Sequence, residues 1–262
     1  MIEQKGGSIV LRNVGIRFGA VEIVSGIDLD VESGEFVCLL GPSGCGKSTL
    51  MNAIAGFLGV QSGGITVNGK AVTGPGPDRG VVFQSSEALF PWLTVRENVE
   101  YGPRTRGLEQ AQCRDAALRY IELVGLKAAA DKFPRELSGG MRQRAQLARV
   151  LVNEPSIILM DEPFAALDAQ TRLIMQVELG RIWRATGATV LFITHDIGEA
   201  VLLGDRNITM TAGPGAKFKT VERIELPHPR DLTSQAAIKI YRSLRDDIGE
   251  EVQKTLKLQG LA

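Results

Sequence analysis

The sequence predicts an α/β fold: a mostly parallel sheet flanked by helices, with an antiparallel β element on its N-terminal side and a helical insertion in its middle. Three observations predict it. Short, continuously apolar runs at residues 36–40, 157–160 and 189–194 suit strands buried on both faces. In the first third, apolar and polar positions alternate at the two-residue period of half-buried strands. From about residue 94 to 155 the period changes to that of amphipathic helices.

Taken in order, Ile9 and Leu11, then Ile27, Leu29 and Val31, mark the first two strands. The run 36–40 stops at Gly41, and Leu50, Met51, Ile54 and Ala55 then share one helical face. Ile65 and Val67 lead into Asn68-Gly69 and Val72, a hairpin signal because that dipeptide accepts positive φ. Residues 80–83 form a further strand, with Gln84 at its end. Helical stripes follow at Ala117, Leu118, Ile121 and Val124, and at Met141, Ala145, Ala148 and Val152. Strands return at 157–160, 189–194 and 207–210. Tyr241, Leu244, Ile248 and Val252 mark a tail helix packed on the body. The expected organisation is one domain over 1–262, with an α/β core at 1–93 and 156–230. A helical subdomain fills 94–155 and a helical tail 231–262.

Composition narrows the possible partners. The 262 residues include 30 basic and 30 acidic side chains, a net charge of zero, which argues against a broad nucleic-acid surface. No apolar run approaches the ~20 residues that span a bilayer, and the first residues lack the apolar segment of a secretory signal. A cytosolic location is expected, with any membrane link made through a partner. Cys38, Cys45 and Cys113 lack the paired spacing of a zinc site or disulfide framework and are expected to be reduced thiols.

Residues Gly41, Pro42, Ser43, Gly44, Cys45, Gly46, Lys47, Ser48 and Thr49 read GPSGCGKST and fit the G-x-x-x-x-G-K-[ST] phosphate loop. A buried strand precedes them and a helix follows. Glycines let backbone N–H groups turn toward phosphate oxygens, and the helix adds its positive end. Lys47 is expected to reach the β- and γ-phosphates and Ser48 to ligate magnesium. The strand 157–160 delivers Asp161-Glu162 to its C-terminal edge, where ligands bind open α/β sheets. Asp161 would hold magnesium through water, and Glu162 would polarise the attacking water. His195 ends another apolar strand, where it would bond a γ-phosphate or orient the water. Taken alone, it reads first as a structural histidine. Gln84 would see the magnesium or the water.

Residues 137–141 read LSGGM. Ser138 suits a helix N-cap, and Gly139-Gly140 leave N–H groups uncovered by side chains, which makes a second anion-binding helix end. Two chains could then sandwich two nucleotides between one chain's phosphate loop and the other's Ser138. On shape alone, the plainer reading of a simple helix cap is favoured.

The phosphate loop, Gln84, LSGGMRQR, IILMDEP, Asp168 in AALD and His195 together resemble ATP-binding cassette (ABC) ATPases in order and spacing, over essentially the whole chain. The resemblance implies a P-loop NTPase (RecA-like) core with the inserted α-helical subdomain, binding ATP and Mg2+. It implies that Ser138, Gly139 and Gly140 bind ATP across a homodimer and that Asp168 contacts the opposite subunit. It also places Phe18 under the adenine, the alternative being Phe18 in the core. Met141 stands where glutamine is commoner, Phe18 where tyrosine is commoner, and Ala165-Ala166 where glycine or serine is usual. None of these removes a ligand to phosphate or magnesium, so an active ATPase is expected.

Residues 74–84, GPGPDRGVVFQ, with Phe90-Pro91-Trp92, resemble the ATPases of bacterial nitrate, taurine and aliphatic sulfonate importers. That implies integral membrane permease subunits as partners and, indirectly, a periplasmic substrate-binding protein. By the same resemblance, residues 88–93 receive a helix of the membrane subunit; the bland alternative makes them core of the insertion. The rival reading is a soluble ABC ATPase of DNA repair or translation.

Overall fold

A computed structural model describes residues 6–83, 89–165 and 167–258. The chain runs β1 (Ile9–Phe18), β2 (Val21–Val31), β3 (Phe36–Leu40), α1 (Lys47–Ala55), β4 (Ser62–Val67), β5 (Lys70–Ala71) and β6 (Arg79–Val82). Then come α2 (Val95–Thr105), α3 (Gln110–Leu123), α4 (Gly139–Leu151), β7 (Ile157–Asp161), α5 (Ala169–Thr186) and β8 (Thr189–Ile193). The last elements are α6 (Ile197–Leu203), β9 (Arg206–Met210), β10 (Phe218–Arg223) and α7 (Gln235–Leu258).

Two sheets result. The first is antiparallel, in the order β2-β1-β4-β5, and the second runs β10-β9-β3-β8-β7-β6. Within the second, β9, β3, β8, β7 and β6 are parallel neighbours and β10 closes one edge antiparallel. The β4–β5 hairpin turns on Asn68 and Gly69, both at positive φ, as the dipeptide predicted.

The two-residue alternation of the central strands divides the core. Val37, Leu39, Ile157, Leu159, Leu191 and Ile193 point to the face covered by α1 and the antiparallel sheet. Phe36, Cys38, Leu40, Ile158, Met160 and Phe192 point to the other, under the helices of the 94–155 segment and under α5 and α6. Because both faces are covered, these strands carry polar residues only at their ends, Asp161 on β7 and Thr189 on β8. Helix α1 seats Leu50, Met51 and Ile54, each fully buried and each contributing about 1.5–3 kcal/mol by leaving water. That burial anchors the loop in front of the helix.

Two expected stripes shift. On α3, Leu118 is exposed, while Cys113 and Tyr120 join Ala117 and Ile121 inside. On α7, Tyr241 and Val252 are exposed, and the buried face is Ala237, Leu244 and Glu251. The helix meets α6 and β9, and that contact selects a face that includes a carboxylate. The three cysteines are free and buried. Among the described residues no helix is long and apolar enough to cross a membrane.

Candidate active site

Strand β3 ends at Leu40, and the loop from Gly41 to Gly46 returns the chain into α1. Gly46 caps α1 in the left-handed conformation at φ 102°, with no side chain bonded to the first-turn amides. A Cβ there would stand 2.8 Å from Cγ2 of Ile23, so the position requires glycine for space as well as for φ. The helix thus opens with N–H groups uncovered and aligned, the condition for anion binding. Ser43, Gly44 and Ser48 are exposed, whereas Gly41, Pro42, Cys45 and Lys47 are buried and Thr49 is half-buried. The Lys47 ammonium donates to the carbonyls of Gly41 (2.8 Å) and Pro42 (3.0 Å), which closes the loop around a positive charge. Burial pushes the Cys45 thiol up, with Lys47 opposing, so it remains a neutral thiol under the loop.

Strand β7 brings Asp161 to the same edge of the sheet, near the Ser48 hydroxyl. Burial raises the Asp161 carboxyl above its ordinary value, and the nearby Ser48 hydroxyl partly offsets it. Glu162 follows at φ 42°, an uncommon conformation for a side-chain-bearing residue, stabilised by its N–H donating to Ile193 O at 3.0 Å. The twist turns the Glu162 side chain to His195, whose Nδ1 lies 3.1 Å from Glu162 Oε2. With Glu162 ionised, Nδ1 carries the proton and donates. The histidine is itself held by its neighbours: Thr194 Oγ1 accepts from Asp196 N at 2.9 Å, and Asp196 caps α6. Thr194 in turn donates to Glu199, a buried carboxylate that also accepts from Gln176.

Lys47, Ser48, Asp161, Glu162 and His195 therefore come together from three strand ends. The residues fit a nucleoside triphosphate with Mg2+: uncapped helix amides, a buried ammonium, and a hydroxyl beside a carboxylate as oxygen donors. Gln84 lies outside the described residues. Phe18 stands opposite Val21 at the tip of the β1–β2 hairpin, and both are exposed, so Phe18 is no part of the core.

Ser138, Gly139, Gly140 and Asp168 form a second group. Ser138 caps α4, its hydroxyl accepting from Met141 N at 3.3 Å. Asp168 caps α5 by accepting from Gln170 N and Thr171 N, and these bonds hold its carboxyl below the usual range. The first turns of the two helices touch: a Cβ on Gly140 would stand 2.5 Å from Cγ2 of Thr171. Only glycine allows α4 and α5 to start this close.

The fold and the first cluster define a phosphate-loop nucleoside triphosphatase fold, with its acidic pair at the end of β7 and His195 beyond the end of the adjacent parallel strand β8. Residues 24–165 match the ABC transporter family, and the chain belongs to it. It is an ATPase whose hydrolysis is coupled to transport. An ATP-binding protein of Brucella abortus biovar 1 is 50% identical over 222 residues, 85% of each chain. The taurine import ATP-binding protein TauB of Jannaschia sp. is 47% identical over 216 residues, 80% of each. The nitrate import ATP-binding protein NrtC of Synechococcus elongatus is 45% identical over 224 residues, 85% of this chain and 34% of that protein. Among solved structures, a dimeric post-hydrolysis state of an ATP-binding cassette bound to ADP and Pi superposes with a TM-score of 0.70 at 29% identity, over 84% of this chain and 100% of that one.

Sequence reasoning did not single out Thr194, Asp196 or Glu199, which fix His195. Their type is unremarkable, and only the turn from β8 into α6 gives them work. Nor did it single out Asn98, which is fully buried. The Asn98 side chain accepts from Phe90 N and donates to the carbonyls of Phe90, Leu93 and Thr94, setting the shape of the 89–94 turn.

Proposed function

We propose that the chain energises a bacterial importer of a small anion such as nitrate, taurine or an aliphatic sulfonate, working as a homodimer that sandwiches two ATP molecules. The observation that carries the reading is the Glu162–His195 pair, held 3.1 Å apart at the strand ends beside Lys47 and Ser48. In each site, the loop from Gly41 to Thr49 cradles the phosphates and Lys47 leaves its carbonyl partners for the β- and γ-oxygens. Magnesium, held by Ser48, by Asp161 through water and by Gln84, would neutralise charge developing on the phosphates. Glu162 accepts the proton of the attacking water as the bond from the γ-phosphorus to its bridging oxygen breaks, giving ADP and phosphate. His195 orients that carboxylate; with both ring nitrogens protonated it would also donate from Nε2 to a γ-oxygen. Phe18 stacks under the adenine.

Ser138, Gly139 and Gly140 of the opposite chain close each site, and Asp168 touches the opposing subunit. Within the chain, 1–93 with 156–230 acts as the nucleotide-binding body, 94–155 as the helical arm and 231–262 as the tail. The anion class follows the taurine and nitrate relatives.

The partner is a membrane permease that holds the ATPase peripherally at the cytoplasmic face, with a periplasmic binding protein choosing the cargo. A cavity of about 430 Å3 opens beside β6, α2 and α4, lined by Arg79, Phe83, Arg106, Arg149 and Asn153. At its margin Arg149 stacks 4.2 Å over Phe90, and Phe90 stacks on Trp92, which is 69% exposed. We assign this surface to a short helical segment of the permease.

Glu162→Gln tests the mechanism. The variant should bind ATP normally and hydrolyse it on the order of 100-fold more slowly or worse. It should also accumulate as a dimer by size-exclusion chromatography with ATP. Hydrolysis at the wild-type rate would remove Glu162 from the mechanism.

A further inference from the structure

We infer that the last turns of α7 form the wall of the nucleoside end of the site, with Thr255 facing the nucleoside and Glu251 positioning the helix; this rests on the ATP site proposed above. The direction of the bound nucleotide carries the inference. The phosphate loop follows β3, and the groups assigned to the γ-phosphate lie at the ends of β7 and β8, on one side of β3 in the sheet. A triphosphate with its γ end there sends its nucleoside the other way, over β9. On that side lies a cleft of about 260 Å3. The phosphate loop contributes Ser43 and Gly44 to it, β2 contributes Val21, the 211–217 turn contributes Gly213 and Pro214, and α7 contributes Thr255.

The 211–217 turn is clamped from both sides. Toward β2, Gly215 N donates to Glu22 O (2.7 Å), Ala216 N to Ile23 O (3.0 Å), and Ser25 N to Ala216 O (3.1 Å). Toward α7, Ala212 N donates to Glu251 Oε2 at 2.9 Å. Glu251 is 1% exposed, and its carboxylate also meets Lys254 (2.6 Å) and Lys219 (3.5 Å). One helical turn on, Thr255 donates its hydroxyl to Glu251 O, which leaves its methyl group for the cleft. A buried carboxylate thus ties the helix to a turn lying against the phosphate loop, where a Cβ on Gly213 would stand 3.6 Å from Gly44 O. Nucleoside binding and α7 docking are thereby linked, each favouring the other.

The test separates the two ends of the nucleotide. ATP and inorganic tripolyphosphate, each with Mg2+, are titrated into the full chain by calorimetry. Thr255→Trp should weaken ATP about tenfold by overfilling the cleft, and leave tripolyphosphate unchanged. Glu251→Ala should weaken ATP alone and speed amide exchange in 248–258, while Glu251→Gln, which can still accept from Ala212 N, restores part of both. In the wild type, ATP but not tripolyphosphate should slow exchange in 248–258. Thr255→Trp with wild-type ATP affinity, or with both ligands weakened equally, overturns the inference. Unchanged binding of both ligands in Lys47→Ala would instead overturn the site reading on which it rests.

Discussion

Helices α1 and α4 both carry glycine at their start, Gly46 as the cap of α1 and Gly139 as the first residue of α4, and their first turns are prepared in opposite ways. Gly46 caps α1 with no side chain over the amides, and Lys47 is buried in the loop beneath them. Ser138 caps α4 in an extended conformation, and its hydroxyl already accepts from Met141 N. A phosphate reaching α1 finds donors waiting, whereas one reaching α4 must displace a bond that contributes about 0.5–1.5 kcal/mol. Under the proposed sandwich, the difference would set an order of events: nucleotide would load on α1 first, and α4 would gain by engaging only when a second chain delivers a phosphate already held. Asp168, satisfied as the α5 cap, is prepared in the same way as Ser138.

The contrast can be broken first at Lys47. Lys47→Met should weaken ATP on the order of 30- to 100-fold, because a charge-assisted bond contributes about 1.5–3 kcal/mol and the substitution removes more than one. Calorimetry measures it; a loss below about threefold would mean that α1 is not the primary cradle.

Ser138→Ala sharpens the other side. It should leave the monomer's ATP affinity within about twofold and lower the melting stability by about 1 kcal/mol through the lost cap. It should also reduce ATP turnover. Mixing Ser138→Ala with Lys47→Met chains should recover turnover above either pure variant, because a mixed dimer has one site carrying both lesions and one carrying neither. Turnover no higher than in the pure variants counts against sharing.

The smallest effect concerns pH and the α7 wall. Burial pushes the Glu251 carboxyl up, but its bonds to Lys254 and Ala212 N and the charge of Lys219 outweigh that and hold it below the ordinary glutamate value of 4.5. A depressed folded value means that the anchor stabilises above the unfolded value and is lost as pH falls through the folded one. Protection of the amides in 248–258, taken relative to the intrinsic exchange rate at each pH, should therefore fall as the pH drops below 4.5, and Glu251→Gln should flatten the change. Glu199 provides an internal contrast: burial raises its carboxyl despite bonds from Thr194 and Gln176, so acid favours its folded form.

The phosphate loop was legible because its function depends on backbone conformation within nine consecutive residues, and glycine and lysine at fixed spacing determine that conformation. Asp161 and Glu162 were legible because an apolar strand places its last residues at a sheet edge. The trans role of Ser138 and Asp168 came only from the resemblance to a family; residue shape alone suggested a helix cap at Ser138, and within one chain Ser138 and Asp168 each form a cap. The Glu162–His195 contact joins residues 33 apart in sequence, and its geometry depends on the positive φ at Glu162, which the residue type does not suggest.

The sequence by itself determined the central strands, the Asn68-Gly69 turn and the phosphate-loop motif, since each follows from the period of apolar residues or from local backbone chemistry. Only the tertiary structure decided which side of the tail helix is inside and what it does there. Hydropathy placed Tyr241 and Val252 on the packed face; packing against α6 and β9 placed Glu251 there instead, bonded to the turn beside the phosphate loop. A buried carboxylate is stable only where specific donors meet it, and those donors come from residues 212, 219 and 254, brought together by the fold.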